Sequence, residues 1–281
     1  MVKLAFSTNA YTRLPLIDAI RDIAAIGYSG VEILADVPHA YPDSIDSSII
    51  KTVREVLDET GIAVSNINCN CTFGYWKDAP PEPYFEPSLI SPNRRHREDR
   101  TRMILRTLEF AKEIGAKNIS ITSGRCLPGM PPDLAALEFG KNVQPILDRA
   151  EHLDVNVGIE CEPGLYVEYV AELCRWIDRL GSKRLGANLD IGHSVVIGED
   201  IATVVRQLRG RIWNMHVEDL PARKHYHMIP GEGSLDWQSL WGAIRETRYD
   251  RFATVELYTQ TADPHSAARK SFEFLTTSMG D

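Results

Sequence analysis

Short runs rich in β-branched residues alternate along the whole chain with longer stretches whose apolar residues recur at helical spacing. The pattern predicts strands at Lys3–Thr8, Gly30–Leu34, Ala63–Asn68, Asn118–Thr122, Asn156–Glu160, Leu185–Asp190, Ile212–Val217 and Ala253–Leu257. It predicts helices over Leu16–Ile26, Ser47–Thr60, Arg97–Ile114, Asp133–His152, Tyr166–Arg179, Ile201–Leu208, Trp237–Thr247 and Ser266–Thr277. Gly27, Gly61 and Gly115 each follow an apolar helical stretch and precede a strand, which marks them as helix C-terminal caps. Eight strand–helix pairs with no two strands in succession call for a parallel sheet with right-handed crossovers. The count of eight favours closure into a (β/α)8 TIM barrel over an open, doubly wound sheet. No GxGxxG follows the first strand and no GxxxxGK[ST] occurs, which removes the nucleotide-binding versions of that open sheet. At 281 residues, residues 1–281 read as one barrel domain, with no linker or composition break to split them.

One connection breaks the rhythm. From Cys69 to Arg95 the chain is proline-rich and carries the aromatics Phe73, Tyr75, Trp76, Tyr84 and Phe85. A connection of this length after a barrel strand reads either as a lid over the active face or as an ordered excursion or subunit contact.

Composition narrows the setting. With 43% hydrophobic and 25% charged residues the chain is that of a soluble globular protein, and no apolar stretch approaches a bilayer span. The N-terminus lacks a basic region followed by an apolar run, so nothing calls for secretion. The formal charge of −8 argues against nonspecific nucleic-acid binding. Five cysteines, Cys69, Cys71, Cys126, Cys161 and Cys174, are an odd count in a large chain, so free thiols and a cytoplasmic location are expected.

Candidate chemistry gathers at the ends of the last four strands. The fifth strand presents Glu160 in IECEPG, the sixth Asp190 in NLDIGH with His193 three residues on, the seventh His216 in NMHVED and the eighth Glu256 in ATVEL. Each follows an apolar neighbour (Ile159, Leu189, Met215, Val255), so each is expected out of bulk water. Barrel strands aim their C-terminal ends at one mouth, so the four should converge. Three converging buried carboxylates repel one another unless protonated or neutralised, and one divalent cation resolves the conflict. Carboxylates with a single imidazole suit an octahedral ion, so Mn²⁺, Mg²⁺ or Co²⁺ fits better than a structural zinc.

Taken together with GYSGVEI on the second strand, GAKNI before the fourth, and GEGSLDW leading to YDRFATVEL, these stretches resemble the sugar phosphate isomerase/epimerase superfamily. Those xylose-isomerase-like barrels include ketose 3-epimerases, inosose dehydratases and hydroxypyruvate isomerases. The resemblance spans essentially the whole chain. It implies one metal, Mn²⁺ foremost, on Glu160, Asp190, His216 and Glu256, with His193 and an arginine, here Arg223, on a small carbohydrate substrate. It implies that Glu160 and Glu256 pass a proton through a metal-stabilised enediolate, which epimerises or isomerises a keto sugar. The same intermediate can expel a β-leaving group, so a dehydratase or lyase is the second reading. A homo-oligomer, dimer or tetramer, is implied too.

Weaker candidates surround this set. Glu162 either hydrogen-bonds substrate or orients a ligand, and His193 either touches substrate or supports a ligand. His227 either approaches the pocket or is a solvated loop histidine. Glu32 binds a sugar hydroxyl or pairs with a core cation. Asn68 and Arg125 are loop-end polar residues that could reach a ligand, and Asn93–Arg102 reads as a solvated face. Glu232, between Gly231 and Gly233, would repel a phosphate, which points to an unphosphorylated sugar. An apurinic-site endonuclease would need histidines on the second and third strands, where Glu32 and Asn68 stand instead. A barrel that has lost catalysis and only binds is the non-enzymatic reading.

Overall fold

A computed structural model describes residues 2–78 and 85–280. Eight parallel strands close into a barrel in the order of the sequence. They are β1 (Lys3–Ser7), β2 (Gly30–Leu34), β3 (Ala63–Asn68), β4 (Asn118–Ile121), β5 (Asn156–Glu160), β6 (Leu185–Asp190), β7 (Ile212–Val217) and β8 (Phe252–Val255). β8 pairs with β1 to complete the ring. The helices are α1 (Leu16–Ile26), α2 (Ser47–Thr60), α3 (Arg94–Glu113), α4 (Pro132–Leu153), α5 (Val170–Leu180), α6 (Ile191–Ile197), α7 (Ile201–Gln207), α8 (Trp237–Thr247) and α9 (Pro264–Ser278).

Several helices start where carboxylate or amide side chains cap them. Asp46 accepts from the Ile49 amide, Asn93 from Arg95, Asp200 from Thr203 and Asp263 from Ser266. Gly27, Gly61 and Gly115 take left-handed backbone at φ +114°, +68° and +77°, so the three helix stops fall where expected. Differences from the sequence reading are local. α3 begins at Arg94 because Asn93 caps it. α5 begins at Val170 and not Tyr166, because Glu172 Oε2 accepts from the Glu168 and Tyr169 amides and fixes the first turn there. The short α6 was not anticipated at all. Its seven residues directly follow β6, and the metal-ligand candidate Asp190 is its cap.

The long connection after β3 is held at both ends. Asp36 accepts from the amides of Phe73 (2.6 Å) and Gly74 (2.8 Å). The Glu86 carbonyl accepts from Thr72 Oγ1 (2.7 Å) and Trp76 Nε1 (2.6 Å). Arg100 lies in the charged stretch read as a solvated face, yet it is buried and donates to the carbonyls of Cys69 (2.5 Å) and Asn70 (3.3 Å). Tyr84 lies outside the described residues.

Candidate active site

Alternation along each strand sends one set of side chains toward the barrel axis. In most barrels that set is aliphatic; here it is a polar lattice. Asn66 Nδ2 donates to Glu32 Oε2 (2.7 Å) and Ser120 Oγ (2.9 Å). Asn214 Nδ2 donates to Asn188 Oδ1 (2.9 Å), and Thr254 Oγ1 to Asn214 Oδ1 (2.7 Å). All of these groups are buried, so their mutual hydrogen bonds offset the cost of leaving water.

Nearer the C-terminal ends of the strands stand Glu160, Asp190, His216 and Glu256. All four are buried, and each offers a ligand atom within 4.8 Å of the others'. His216 Nδ1 lies 3.3 Å from Glu160 Oε2, 3.4 Å from Glu256 Oε2 and 3.8 Å from Asp190 Oδ2. Its Nε2 lies 2.7 Å from Glu32 Oε2. A carboxylate only accepts, so Nε2 carries the proton and Nδ1 faces the cluster. Asn9 and Asn68 donate to Glu256 Oε1, both at 2.9 Å. Asn70 donates to Glu160 Oε2 (2.9 Å), which Asn188 Nδ2 also holds. Asp190 Oδ1 accepts from the His193 amide as the cap of α6, while its Oδ2 is buried with no hydrogen-bond partner.

The charges of this cluster do not balance. Burial drives the Glu256 carboxyl well above the ordinary carboxylate range, although His216 pulls it down. Burial also lifts Asp190, but His193 and His216 outweigh it and hold Asp190 well below its usual value. Burial opposes a charged His216, yet Glu256, Glu32 and Glu160 raise it well above its usual value. A dication among these oxygens would remove the conflict, and the unpartnered Asp190 Oδ2 would become a ligand. The residues present therefore fit a divalent metal.

Around the mouth, burial raises Glu162 to about 7, opposed by His193 and reinforced by Glu160 and Asp190. His193 is pushed down by burial, but Asp190, Glu162 and Glu160 lift it to about 9. His193 Nδ1 lies 3.6 Å from Glu162 Oε2. Arg125 is exposed, and its charge is felt at Glu162. His227 is fully buried in the site wall and not solvated, and burial lowers it to about 3.

Other sequence candidates take different places. Glu32 is sealed beneath His216, bonded to His216 and Asn66, so it supports the ligand set and does not face the mouth. Asn68 spends its amide on Glu256 and Glu32 and supports carboxylates in the same way. Arg223 is exposed and reaches the Val196 carbonyl at the end of α6 (3.5 Å), not the pocket. The intervening residues of the β7–α8 connection turn it outward, and His225 takes the inward place, 3.1 Å from His193. Glu232 ion-pairs with Lys270 on α9 (3.5 Å), so its charge lies outside the mouth and says nothing about phosphate.

Sequence reasoning missed Asn9, Asn70, Asn188, Glu218 and His225. Asn70 and Asn188 were legible in principle, each two residues from a named candidate and so on the same strand face or its extension. Glu218 is fully buried against Asp190, and burial raises its carboxyl well above the usual range. A Cβ at Gly192 would overlap Glu218 Oε1, so the glycine of NLDIGH makes room for that carboxylate.

A closed parallel barrel with a buried carboxylate–histidine cluster at its C-terminal mouth, where barrels of this kind carry their active sites, is the class the fold and site define. Residues 20–278 match the family described as xylose isomerase-like TIM barrel, and the chain belongs to that family. It is 24% identical over 276 residues to fructoselysine 3-epimerase of Shigella flexneri, covering 97% of this chain and 96% of that protein. It is 25% identical over 292 residues to inosose dehydratase of Lacticaseibacillus casei, covering 93% and 89%. Among solved structures, the IOLI protein with a bound zinc atom superposes with a TM-score of 0.77 at 16% identity, over 99% of this chain and 98% of that one. The curated relatives are enzymes, an epimerase and a dehydratase. No helix among the described residues is long and apolar enough to cross a membrane.

Proposed function

We propose that this chain is a divalent-metal-dependent sugar isomerase or epimerase acting on a keto sugar or a related polyhydroxy carbonyl compound. The observation that carries this reading is the placement of Glu160 and Glu256. They come from strands on different sides of His216, border its Nδ1 at 3.3 and 3.4 Å, and are each oriented by asparagine donors. A dication on Glu160, Asp190, His216 and Glu256, Mn²⁺ foremost with Mg²⁺ or Co²⁺ as substitutes, supplies Lewis acidity that polarises a carbonyl and acidifies the neighbouring C–H.

The chain's own groups do the rest. One of the two glutamates takes the proton from the carbon beside the carbonyl, and the other returns a proton to the opposite face. Asn9, Asn68, Asn70 and Asn188 hold both carboxylates in register without neutralising them. Glu162 and His193 meet substrate hydroxyls at the mouth, and His227 closes the wall. Glu32 positions His216, and Arg223 has no part in the pocket. The partner is a small carbohydrate, not a nucleic acid or a membrane. The free thiols of all five cysteines support a cytoplasmic setting.

A dehydratase is the second reading, favoured by Glu162. A carboxyl buried beside the cluster, within reach of His193, stands where a departing hydroxyl could take its proton. Incubation of the Mn²⁺-loaded protein with candidate ketoses and inososes in D2O separates the two. Epimerisation gives an isomer carrying solvent deuterium, and dehydration gives a product lighter by one water. Glu160→Gln and Glu256→Gln should each lower kcat by roughly 10²–10⁴-fold. Wild-type turnover in either variant would remove that carboxylate from the chemistry.

A further inference from the structure

Arg100, in the second turn of α3, is 1% exposed and reaches across to the chain that leaves β3. Its Nη2 donates to the carbonyls of Cys69 (2.5 Å) and Asn70 (3.3 Å), and its Nη1 has no hydrogen-bond partner among the described residues. A buried guanidinium is costly unless bonds and a nearby negative charge offset it. The two carbonyls supply the bonds. The charge is felt at Asp36, whose oxygens gather the Phe73 and Gly74 amides further along the same connection. Two turns on along the same face of α3, Thr107 Oγ1 lies 3.4 Å from Cys69 Sγ. On its other side Cys69 is anchored to β4, its amide donating to the Ser120 carbonyl at 3.0 Å.

This clamp grips the short stretch of chain that links the two carboxylates assigned to proton transfer. Asn68 and Asn70 flank Cys69. Asn68 Nδ2 donates to Glu256 Oε1 and Asn70 Nδ2 to Glu160 Oε2, both at 2.9 Å. The Asn70 amide donates to Asn68 Oδ1 (3.1 Å), which ties the two together. Asn68 is the last residue of β3 and is placed by its pairing with β2 and β4. Asn70 lies beyond the end of that strand, where Arg100 takes over. A shift of its backbone would carry its side chain off Glu160.

We propose that Arg100 is a positioning residue: by clamping the Cys69–Asn70 turn it fixes Asn70 against Glu160, and so sets where that carboxylate stands relative to Glu256. Arg100 touches neither carboxylate and acts through two backbone carbonyls. The consequence for proton transfer rests on the function proposed above, whereas the placement of Asn70 does not. A lysine here keeps the charge beside Asp36, but its ammonium is a point charge on a flexible stem and lacks the fixed donor geometry of a guanidinium.

Crystal structures of the wild type and Arg100→Lys, with circular dichroism to check the fold, test the clamp. Deuterium incorporation from D2O into D-fructose tests what the clamp does. The variant should keep the barrel and the Asn188–Glu160 contact, while Asn70 Nδ2 moves out of hydrogen-bond reach of Glu160. Its kcat should fall about 10–100-fold with KM changed less than about twofold, because a displaced carboxylate is lost to the transition state more than to binding. In an Asn70→Ala background the same substitution should change kcat by less than about twofold, whereas a merely destabilising substitution would add its own loss. If Arg100→Lys does not fold, Arg100→Gln combined with Asp36→Asn removes both charges together and takes its place. An Asn70–Glu160 bond that survives in the variant, or a kcat unchanged although that bond is broken, would overturn the proposal. Displacement of Asn70 in a protein whose wild type leaves D-fructose unexchanged would uphold the clamp and count against the function proposed above.

Discussion

At the scale of single residues, the site is made by pairing each charged group with a neighbour that decides its state. Glu162 shows this most directly. Burial, more than its neighbours, raises its carboxyl to about 7 from an ordinary 4.5. The folded protein therefore binds this proton more tightly than the unfolded chain does, so the contribution to stability is complete below pH 4.5 and is lost as pH rises through 7. In metal-free protein the loss is on the order of 3 kcal/mol. Glu162→Gln, unfolded in urea at a series of pH values, should lack that part of the slope, and identical slopes in the two proteins would show that Glu162 is an ordinary carboxylate. Asparagines act differently. They fix Glu160 and Glu256 by donating, which orients a carboxylate while sparing its negative charge.

At the scale of elements, the strands and the connections were legible to different degrees. β2, β3, β5, β6 and β7 fall where the alternation of β-branched runs places them, because a buried parallel strand must be apolar on its outer face whatever its inner face does. The chemistry at their C-terminal ends was legible for the same reason. His216 and Asp190 each directly follow an apolar residue near the end of a strand, Met215 and Leu189. The connections were not legible, since their order comes from contacts between distant residues. Nothing near Arg100 separates it from its neighbours in RRHREDR, yet it is the member of that stretch that is fully buried, donating to the Cys69 and Asn70 carbonyls. Likewise Arg223 and His225 stand two residues apart in a polar loop, and only the path of that loop decides which enters the site.

Asp219 governs that path. It accepts from the amides of Leu220 (3.0 Å), Gly231 (2.9 Å) and Leu235 (2.9 Å) and from Trp237 Nε1 (3.1 Å). The glycines of GEGSLDW are needed because the chain wraps this carboxylate. Gly231 has φ +91°, and a Cβ at Gly233 would overlap Asp219 Oδ1. Asp219→Ala would strand several donors at once and should cost on the order of 3 kcal/mol, read as a lower urea midpoint. A midpoint within a few tenths of a kcal/mol of wild type would mean that the loop holds its shape without Asp219.

At the scale of the whole molecule, the barrel is closed at its mouth by a cluster whose charges are unbalanced without a cation. A metal that binds only the folded chain stabilises it by mass action, by about 2.7 kcal/mol at a hundredfold excess over Kd. For a chain of this size that raises Tm by roughly 5–10 °C, and a chelator should reverse it. Mn²⁺ should produce the shift in the wild type and lose most of it in Glu160→Gln. A Tm indifferent to Mn²⁺, Mg²⁺, Co²⁺ and chelator alike would leave the mouth without its cation.

Asp190 holds the first turn of α6 with one oxygen and turns the other to the cluster. What fills the cluster is thereby tied to how firmly that short helix is wound. Deuterium uptake at the amides of residues 193–197 should slow when metal is added, while amides on the opposite end of the barrel keep their rates. The helix would then report occupancy of the mouth from the backbone, with no substrate present.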